Sequence, residues 1–174
     1  VYQLNFPDDS FDVLFSHNVL EHLGEPHRAL REMMRVLKPN GAIGIRDSDW
    51  GGIVLAPDDR LLQRYLSLYE AYWTSTGGNP RLGRQLKGLL TETGLIDVDT
   101  AASYDVYSTP EELSFVAQIA AARVVESDFV EQVIARSLAS VEELEAIRFA
   151  WLAWPEHPGA FLALAAGEAV GRKP

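Results

Sequence analysis

The feature that most constrains this chain is a pair of short apolar runs separated by one amphipathic helix. Phe11–Phe15 and Ala42–Arg46 are the two runs, and turn residues bound each of them. Between them, Pro26–Leu37 carries apolar residues at three- and four-residue spacing, with Pro26 at the favoured first helical position. A crossover of about 25 residues is long enough to join parallel strands. The pattern therefore predicts an α/β fold with both runs as buried strands of one sheet.

The rest of the chain continues this alternation. Amphipathic spacing predicts helices over Asp58–Trp73 and Arg84–Thr93, the second closed by Gly94 as a left-handed cap. Rough alternation predicts strands over Ile96–Tyr107 and Phe161–Val170. With no linker or repeat in sight, we interpret residues 1–174 as a single domain.

A helical block is expected between the last two predicted strands, over residues 110–154. Thr109-Pro110-Glu111-Glu112 has the form of a capping box, and it starts a helix that should end near Glu126. Ser127 and Ser140 are further helix starts, and Ser140 again has a glutamate three residues later. We interpret the block as an insertion that covers a pocket or mediates association.

Polar residues follow both strands of the first α/β unit. Ser16-His17-Asn18 come after the first, and Asp47, Asp49 and Trp50 come after the second. Because ligands of open α/β sheets bind outside the carboxyl ends of the strands, these residues are candidates for a binding site. The alternative is that they form solvated turns. The histidine spacing fits no familiar ligand pattern, so no metal site is expected.

Two segments carry a resemblance to a known family. LNFPDDSFDVLFSHNVLEHL (residues 4–23) and ALREMMRVLKPNG (residues 29–41) closely resemble the fourth-strand region and following helix of UbiE-like, class I S-adenosylmethionine-dependent methyltransferases of the type 11 family. The resemblance implies a Rossmann-like methyltransferase fold. This chain would supply strands four to seven, the last of them antiparallel.

The resemblance also implies roles for the candidate residues. Residues beside the S-adenosyl-L-methionine cofactor would be Val1, Ser16, His17, Asn18 and His22. Residues facing the methyl acceptor would be Asp47, Asp49 and Trp50. No catalytic residue is assigned, because methyl transfer depends mainly on orienting two reactants and excluding water. We favour a packing or hydrogen-bonding role for His17 over proton abstraction.

The start of the chain carries a separate expectation. It opens at Val1-Tyr2-Gln3-Leu4 without a methionine, and no Gly-x-Gly-x-x-Gly pattern occurs in it. We interpret residue 1 as lying inside a domain, with the first three strands and the glycine-rich cofactor loop upstream. Alone, the chain is expected to be inactive and to expose an unpaired sheet edge that promotes dimerisation or aggregation.

Net charge and composition limit the kinds of binding partner that this chain can have. The net charge of −10 argues against non-specific binding to nucleic acid or an anionic membrane. No apolar run is long enough to span a bilayer, and the absence of cysteine fits a cytoplasmic protein. The leading hypothesis is a small-molecule methyltransferase. The alternatives are a non-catalytic module that keeps the methyltransferase fold for its surface, and a nucleotide- or NAD-dependent α/β enzyme.

Overall fold

The computed structural model describes residues 1–125 and 128–174, so the predicted helix end at Glu126 and start at Ser127 lie outside the described residues. Strands and helices alternate along the described chain. The strands are Phe11–His17 (β1), Leu37–Ser48 (β2), Val54–Ala56 (β3), Ile96–Tyr107 (β4) and Phe161–Arg172 (β5). The α-helices are Pro26–Val36 (α1), Arg60–Ser75 (α2), Leu86–Thr93 (α3), Pro110–Arg123 (α4), Asp128–Ala135 (α5) and Val141–Ala153 (α6).

The chain divides into two compact units. The first unit comprises Val1–Gly52, Gly77–Tyr104 and Ala165–Pro174. The second unit comprises Ile53–Thr76 and Asp105–Leu164. Strand β5 contributes its first residues to the second unit and its remaining residues to the first.

The sheet of the first unit has the order β1-β2-β5-β4. Strand β1 runs parallel to β2, with Phe15 opposite Gly44 and His17 opposite Arg46. Strand β5 runs antiparallel to β2, with Val170 also opposite Gly44. The α/β fold predicted from the two apolar runs is therefore confirmed. The antiparallel last strand is the one that the family resemblance implied.

From Gly41 to Ser48, buried residues of β2 alternate with partly exposed ones, and the buried ones contribute to the core of the first unit. Ile43 and Ile45 are buried against the apolar faces of α1 and α3, while the residues between them face the other side. The prediction that β1 is buried is wrong. Val13 and Phe15 are 67% and 71% exposed, because only alternate side chains of β1 point toward this core.

A clamp around Arg35 fixes the segment before β1. The Arg35 guanidinium donates to the carbonyl oxygens of Leu4 (3.1 Å) and Phe6 (3.0 Å) and pairs with Glu32 (2.7 Å) and Asp8 (2.6 Å). The Leu4 amide donates to Glu32 at 2.8 Å. The hydrogen bonds from Arg35 and then from Leu4 lower the pKa of Glu32 to about 2. The Glu32 carboxylate of the clamp is therefore ionised at neutral pH.

The second unit is a helical assembly around aromatic side chains. Helix α4 begins at the predicted capping box, in which Thr109 and Glu112 each accept the other's backbone amide. Ser140 caps α6 by accepting from the Glu143 amide. Helix α2 starts later than predicted, because Asp59 serves as its N-cap. The largest buried side chains of this core are Tyr65, Phe129, Trp151 and Trp154.

Two strand boundaries escaped the sequence analysis. The three-residue strand β3 pairs antiparallel with the start of β5, with Val54 opposite Ala163. Strand β2 extends backward to Leu37, through the segment Lys38–Gly41 that was predicted to be a turn. Asn40 takes a left-handed conformation there (φ 62°), and the pairing with β1 shifts register across this segment, from Leu37 opposite Phe11 to Ala42 opposite Val13.

Candidate functional site

The loop that follows β1 presents polar side chains at the carboxyl end of the sheet. Asn18 has a left-handed backbone (φ 52°), and its amide donates to the Arg46 carbonyl at 2.9 Å. His17 and Asn18 are exposed, whereas Ser16 is buried and its hydroxyl has no partner within the described residues. The loop therefore exposes the side chains of His17 and Asn18 to solvent, while a hydrogen bond to Arg46 fixes its backbone.

Asp47 lies underneath this loop. Its side chain is fully buried, and Oδ1 accepts hydrogen bonds from the amides of Val19 (2.9 Å) and Glu21 (3.3 Å). Oδ2 has no partner within the described residues. Burial raises the pKa of Asp47 to about 7, and the nearby Glu21 carboxylate contributes in the same direction. Asp47 therefore sits where it shapes the loop and is close to its titration point at neutral pH.

Glu21 ties the same loop to its neighbours. It is 2% exposed, and its carboxylate accepts hydrogen bonds from both the amide and the hydroxyl of Ser48. Its carbonyl accepts the Asn79 amide at 2.7 Å, and its other carboxylate oxygen lies 3.5 Å from His22 Nε2. His22 itself is largely exposed. The Glu21-His22 pair thus has one buried, anchored member and one member open to solvent.

Asp49 anchors the segment after β2. Its carboxylate holds the Arg84 guanidinium in a two-pronged ion pair at 2.7 and 2.6 Å and also accepts the Arg84 amide at 2.9 Å. The Asp49 amide donates to the Ala165 carbonyl at 2.8 Å. Trp50 is half-buried, and its amide donates to Pro80. Asp49 is thus committed to an ion pair with Arg84, which was not predicted from the sequence.

A cleft of 550 Å³ opens beside Asp49, within the first unit. Its size lies in the range of small-molecule sites. Small side chains form most of its wall, and charged groups stand at its rim. The lining residues are Asp49, Gly52, Gly83, Arg84, Lys87, Thr100–Ala102 and Ala165–Glu168.

Two glycines that line this cleft, Gly83 and Gly167, allow the backbones of their segments to approach each other closely. A methyl group at Gly167 would lie 2.1 Å from the Gly83 carbonyl oxygen, and one at Gly83 would lie 2.8 Å from the Asp47 carbonyl oxygen. Real side-chain carbons do not approach backbone so closely. The single-turn 3₁₀ helix Gly83–Gln85 can therefore reach the sheet only because both positions are glycine.

A row of four polar side chains crosses the sheet of the first unit, one from each strand. This polar ladder consists of His17, Arg46, Glu168 and Ser103. Arg46 Nη1 lies 2.6 Å from His17 Nε2, and Arg46 Nε donates to Glu168 at 3.2 Å. Ser103 donates its hydroxyl proton to Glu168 at 2.5 Å. No role for Arg46, Glu168 or Ser103 was predicted, because the strand register that brings them together depends on contacts between distant segments.

All eight predicted site residues lie in the first unit. Val1 is 42% exposed, and the neighbouring Tyr2 accepts a hydrogen bond from the Glu25 amide, which holds this segment beside the start of α1. Within residues 1–125 and 128–174, no cluster of three acidic or histidine side chains could hold a metal ion. No described helix has the length and apolar character needed to cross a membrane.

The strand order and the antiparallel last strand define a Rossmann-like α/β fold of the methyltransferase type. Residues 1–45 match the family model described as methyltransferase domain. An uncharacterized methyltransferase of Schizosaccharomyces pombe is 28% identical over 179 aligned residues, covering 99% of this chain and 62% of that protein. The chain therefore spans about three fifths of the length of that relative.

Solved structures agree on the fold. The YcgJ protein from Bacillus subtilis matches 99% of this chain and 68% of its own, with a TM-score of 0.54 and 20% identity. A S-adenosylmethionine-dependent methyltransferase from Thermotoga maritima matches 99% of this chain and 61% of its own, with a TM-score of 0.51 and 14% identity. Together with the sequence matches, these likenesses confirm the resemblance to class I methyltransferases drawn from residues 4–41.

Proposed function

We propose that this chain is part of an enzyme that transfers a methyl group from S-adenosyl-L-methionine to a small-molecule acceptor. The match of residues 1–45 to the methyltransferase domain is the observation that carries the proposal. That segment contains β1 and the loop after it, which is the edge of an α/β sheet where ligands bind. The proposal concerns the protein in its full-length reading frame.

The loop after β1 suits a polar cofactor. His17 and Asn18 offer exposed polar groups, while hydrogen bonds to Asp47 and Glu21 hold the backbone behind them. A backbone fixed in advance lowers the entropy lost when a ligand binds. We assign cofactor contact to the residues already predicted, namely Val1, Ser16, His17, Asn18 and His22.

The segment after β2 would face the methyl acceptor. The 550 Å³ cleft beside Asp49 offers space for a small molecule. Trp50 is the side chain proposed for direct contact. Asp47 is fully buried and Asp49 is bonded to Arg84, so in our proposal both carboxylates act by holding the loops that shape the site.

Methyl transfer from a sulfonium requires the protein mainly to orient the two reactants, and it does not require a nucleophilic side chain. When bound, the cofactor supplies an electrophilic methyl group on a sulfonium. The residues of this chain would align the acceptor's lone pair with that methyl group and keep water out. No side chain is assigned as a base. Self-association and a cytoplasmic location stay predictions.

The test is a calorimetric titration of the protein, expressed in its full-length reading frame, with S-adenosylhomocysteine. We expect saturable binding, weakened about fivefold by His17→Ala, because one hydrogen bond to a polar ligand contributes about 1 kcal/mol. His157→Ala is the matched control, because His157 is an exposed histidine of the second unit. Its affinity should equal that of the parent protein.

Absence of binding at millimolar S-adenosylhomocysteine would refute the methyltransferase proposal. That result would favour the alternative hypothesis, in which the chain is a non-catalytic binding module with the same fold. An equal loss in both histidine variants would remove His17 from the proposed site while leaving the cofactor assignment intact.

A further inference from the structure

The polar ladder fixes the hydrogen-bonding state of His17. We infer that Arg46 is a positioning residue that holds His17 as a neutral ring with its proton on Nδ1. The inference concerns a residue outside the site proposed above. Its consequence for cofactor binding rests on the proposed function, but the state of the ring does not.

The chemistry of the contact dictates the tautomer. A guanidinium has five N–H donors and no acceptor, so the 2.6 Å contact between Arg46 Nη1 and His17 Nε2 requires Nε2 to accept. A ring nitrogen that accepts carries no proton. In a neutral imidazole the proton must then reside on Nδ1.

Arg46 is itself held on several sides. Its side chain is 15% exposed, and its Nε donates to Glu168 at 3.2 Å and to Ser103 at 3.3 Å. Its carbonyl accepts the Asn18 amide at 2.9 Å, so the same residue also fixes the backbone of the loop beside His17. A planar guanidinium with separate donors makes these contacts at once, whereas a lysine ammonium is a single point of charge.

The tautomer decides what His17 can do. Its one lone pair in the ring plane is already engaged by Arg46, so the ring cannot accept a proton from a methyl acceptor without losing that contact. The remaining polar group is the Nδ1 hydrogen, which is a donor. His17 is thereby suited to a hydroxyl or carboxylate oxygen of a ligand and unsuited to serve as a general base.

The primary test is a long-range proton–nitrogen correlation NMR spectrum of the ¹⁵N-labelled protein at neutral pH. We expect the His17 signals of an Nδ1-protonated neutral ring in the parent protein and a change to the Nε2-protonated form in Arg46→Met. Lys38→Met is the matched control, because it removes an exposed cation of β2 that pairs with Asp12. That variant should keep the parent spectrum.

A second measurement separates positioning from mere packing. Arg46→Met and His17→Ala should each weaken S-adenosylhomocysteine binding about five- to tenfold, and the double variant should lose no more than either single one. If Arg46→Met does not fold, Glu168→Gln is used instead, because it loosens Arg46 while keeping the shape of its partner. It should shift the His17 tautomer in the same direction.

An Nε2-protonated His17 in the parent protein would overturn the inference, as would an unchanged tautomer in Arg46→Met or Glu168→Gln. Fully additive losses of affinity would also overturn it, because they would show that Arg46 acts independently of His17. If the parent protein binds no S-adenosylhomocysteine, the proposed function fails, and the NMR spectrum alone decides the role of Arg46.

Discussion

The two units differ in what they bury. Among the described residues, the buried polar side chains all lie in the first unit: Ser16, Glu21, Asp47 and Asp49. The core of the second unit consists of aliphatic and aromatic side chains. Burying a carboxylate costs free energy unless hydrogen bonds compensate, whereas apolar packing stabilises a fold directly. The difference teaches that buried carboxylates shape the loops of the first unit, whereas the second unit is stabilised mainly by apolar and aromatic packing.

The placement of the buried carboxylates supports this contrast. Asp47 and Asp49 lie at the end of β2, and Glu21 lies in the loop after β1. All three accept hydrogen bonds from backbone amides of neighbouring segments. Side chains that accept hydrogen bonds from backbone amides fix the conformation of a loop. A binding site requires loops that are held in this way.

The largest expected loss of stability is in the apolar core of the second unit. Trp151 is 1% exposed and packs against the rings of Tyr65 (5.2 Å between centroids) and Trp154 (5.3 Å). Trp151→Ala should lower the free energy of unfolding by about 3–5 kcal/mol, because it leaves a large cavity. Hydrogen exchange should show the loss of protection in α2, α4 and α6. A loss below about 1 kcal/mol would mean that this core is not close-packed.

A smaller loss of stability is expected at the close backbone contact between Gly83 and Gly167 in the first unit. Gly167→Ala places a methyl group against Gly83 and should cost about 2–3 kcal/mol through overpacking, measured by denaturant unfolding. Gly88→Ala is the matched control. Gly88 is exposed on α3 and has room for a methyl group, so the change should stabilise by about 0.5–1 kcal/mol. Equal effects at the two glycines would contradict the close approach.

The remaining prediction is a change of stability with pH near neutrality, which arises from Asp47 in the first unit. The pKa of Asp47 is about 7 in the folded protein, against about 3.9 for an aspartate in an unfolded chain. Between these values the folded state binds more protons, so this residue's contribution to stability falls as pH rises from about 4 to 7. It is fully present below pH 4 and levels off above pH 7.

Asp47→Asn should remove that dependence while keeping an oxygen that accepts the Val19 amide. At pH 8 the variant should therefore be more stable than the parent by about 4 kcal/mol, because a pKa difference of about three units is worth about 1.4 kcal/mol per unit, and near pH 4 the two should be equal. The check is a series of denaturant titrations across this pH range. A constant difference between the two proteins at every pH would show that Asp47 does not titrate near neutrality.

Local signals predicted most of the secondary structure. The parallel pair β1 and β2, the capping box at Thr109 and the left-handed Gly94 (φ 101°) each depend on a few adjacent residues, and the structure has them as expected. Asp59 as the cap of α2 shows the limit. Asp58 and Asp59 are adjacent and chemically equivalent, so the pattern alone could not choose between them.

The site was less predictable than the fold. Residues at the ends of β1 and β2 were found because the carboxyl edge of a sheet is a position in the fold. The burial of Asp47, the Asp49–Arg84 ion pair and the polar ladder depend on contacts between distant segments. Arg84 lies 35 residues from Asp49, so nothing in the local pattern indicated the pairing.

The position of β5 has a consequence for how the protein is made. The strand lies between β2 and β4 in the sheet of the first unit, yet Glu168 follows its partner Arg46 by 122 residues. A ribosome that has just released β2 must add all of those residues before the neighbouring strand exists. Contacts this distant in sequence slow folding and leave strand edges exposed meanwhile. During synthesis, the edge of β2 that pairs with β5 should therefore stay unpaired until β5 emerges.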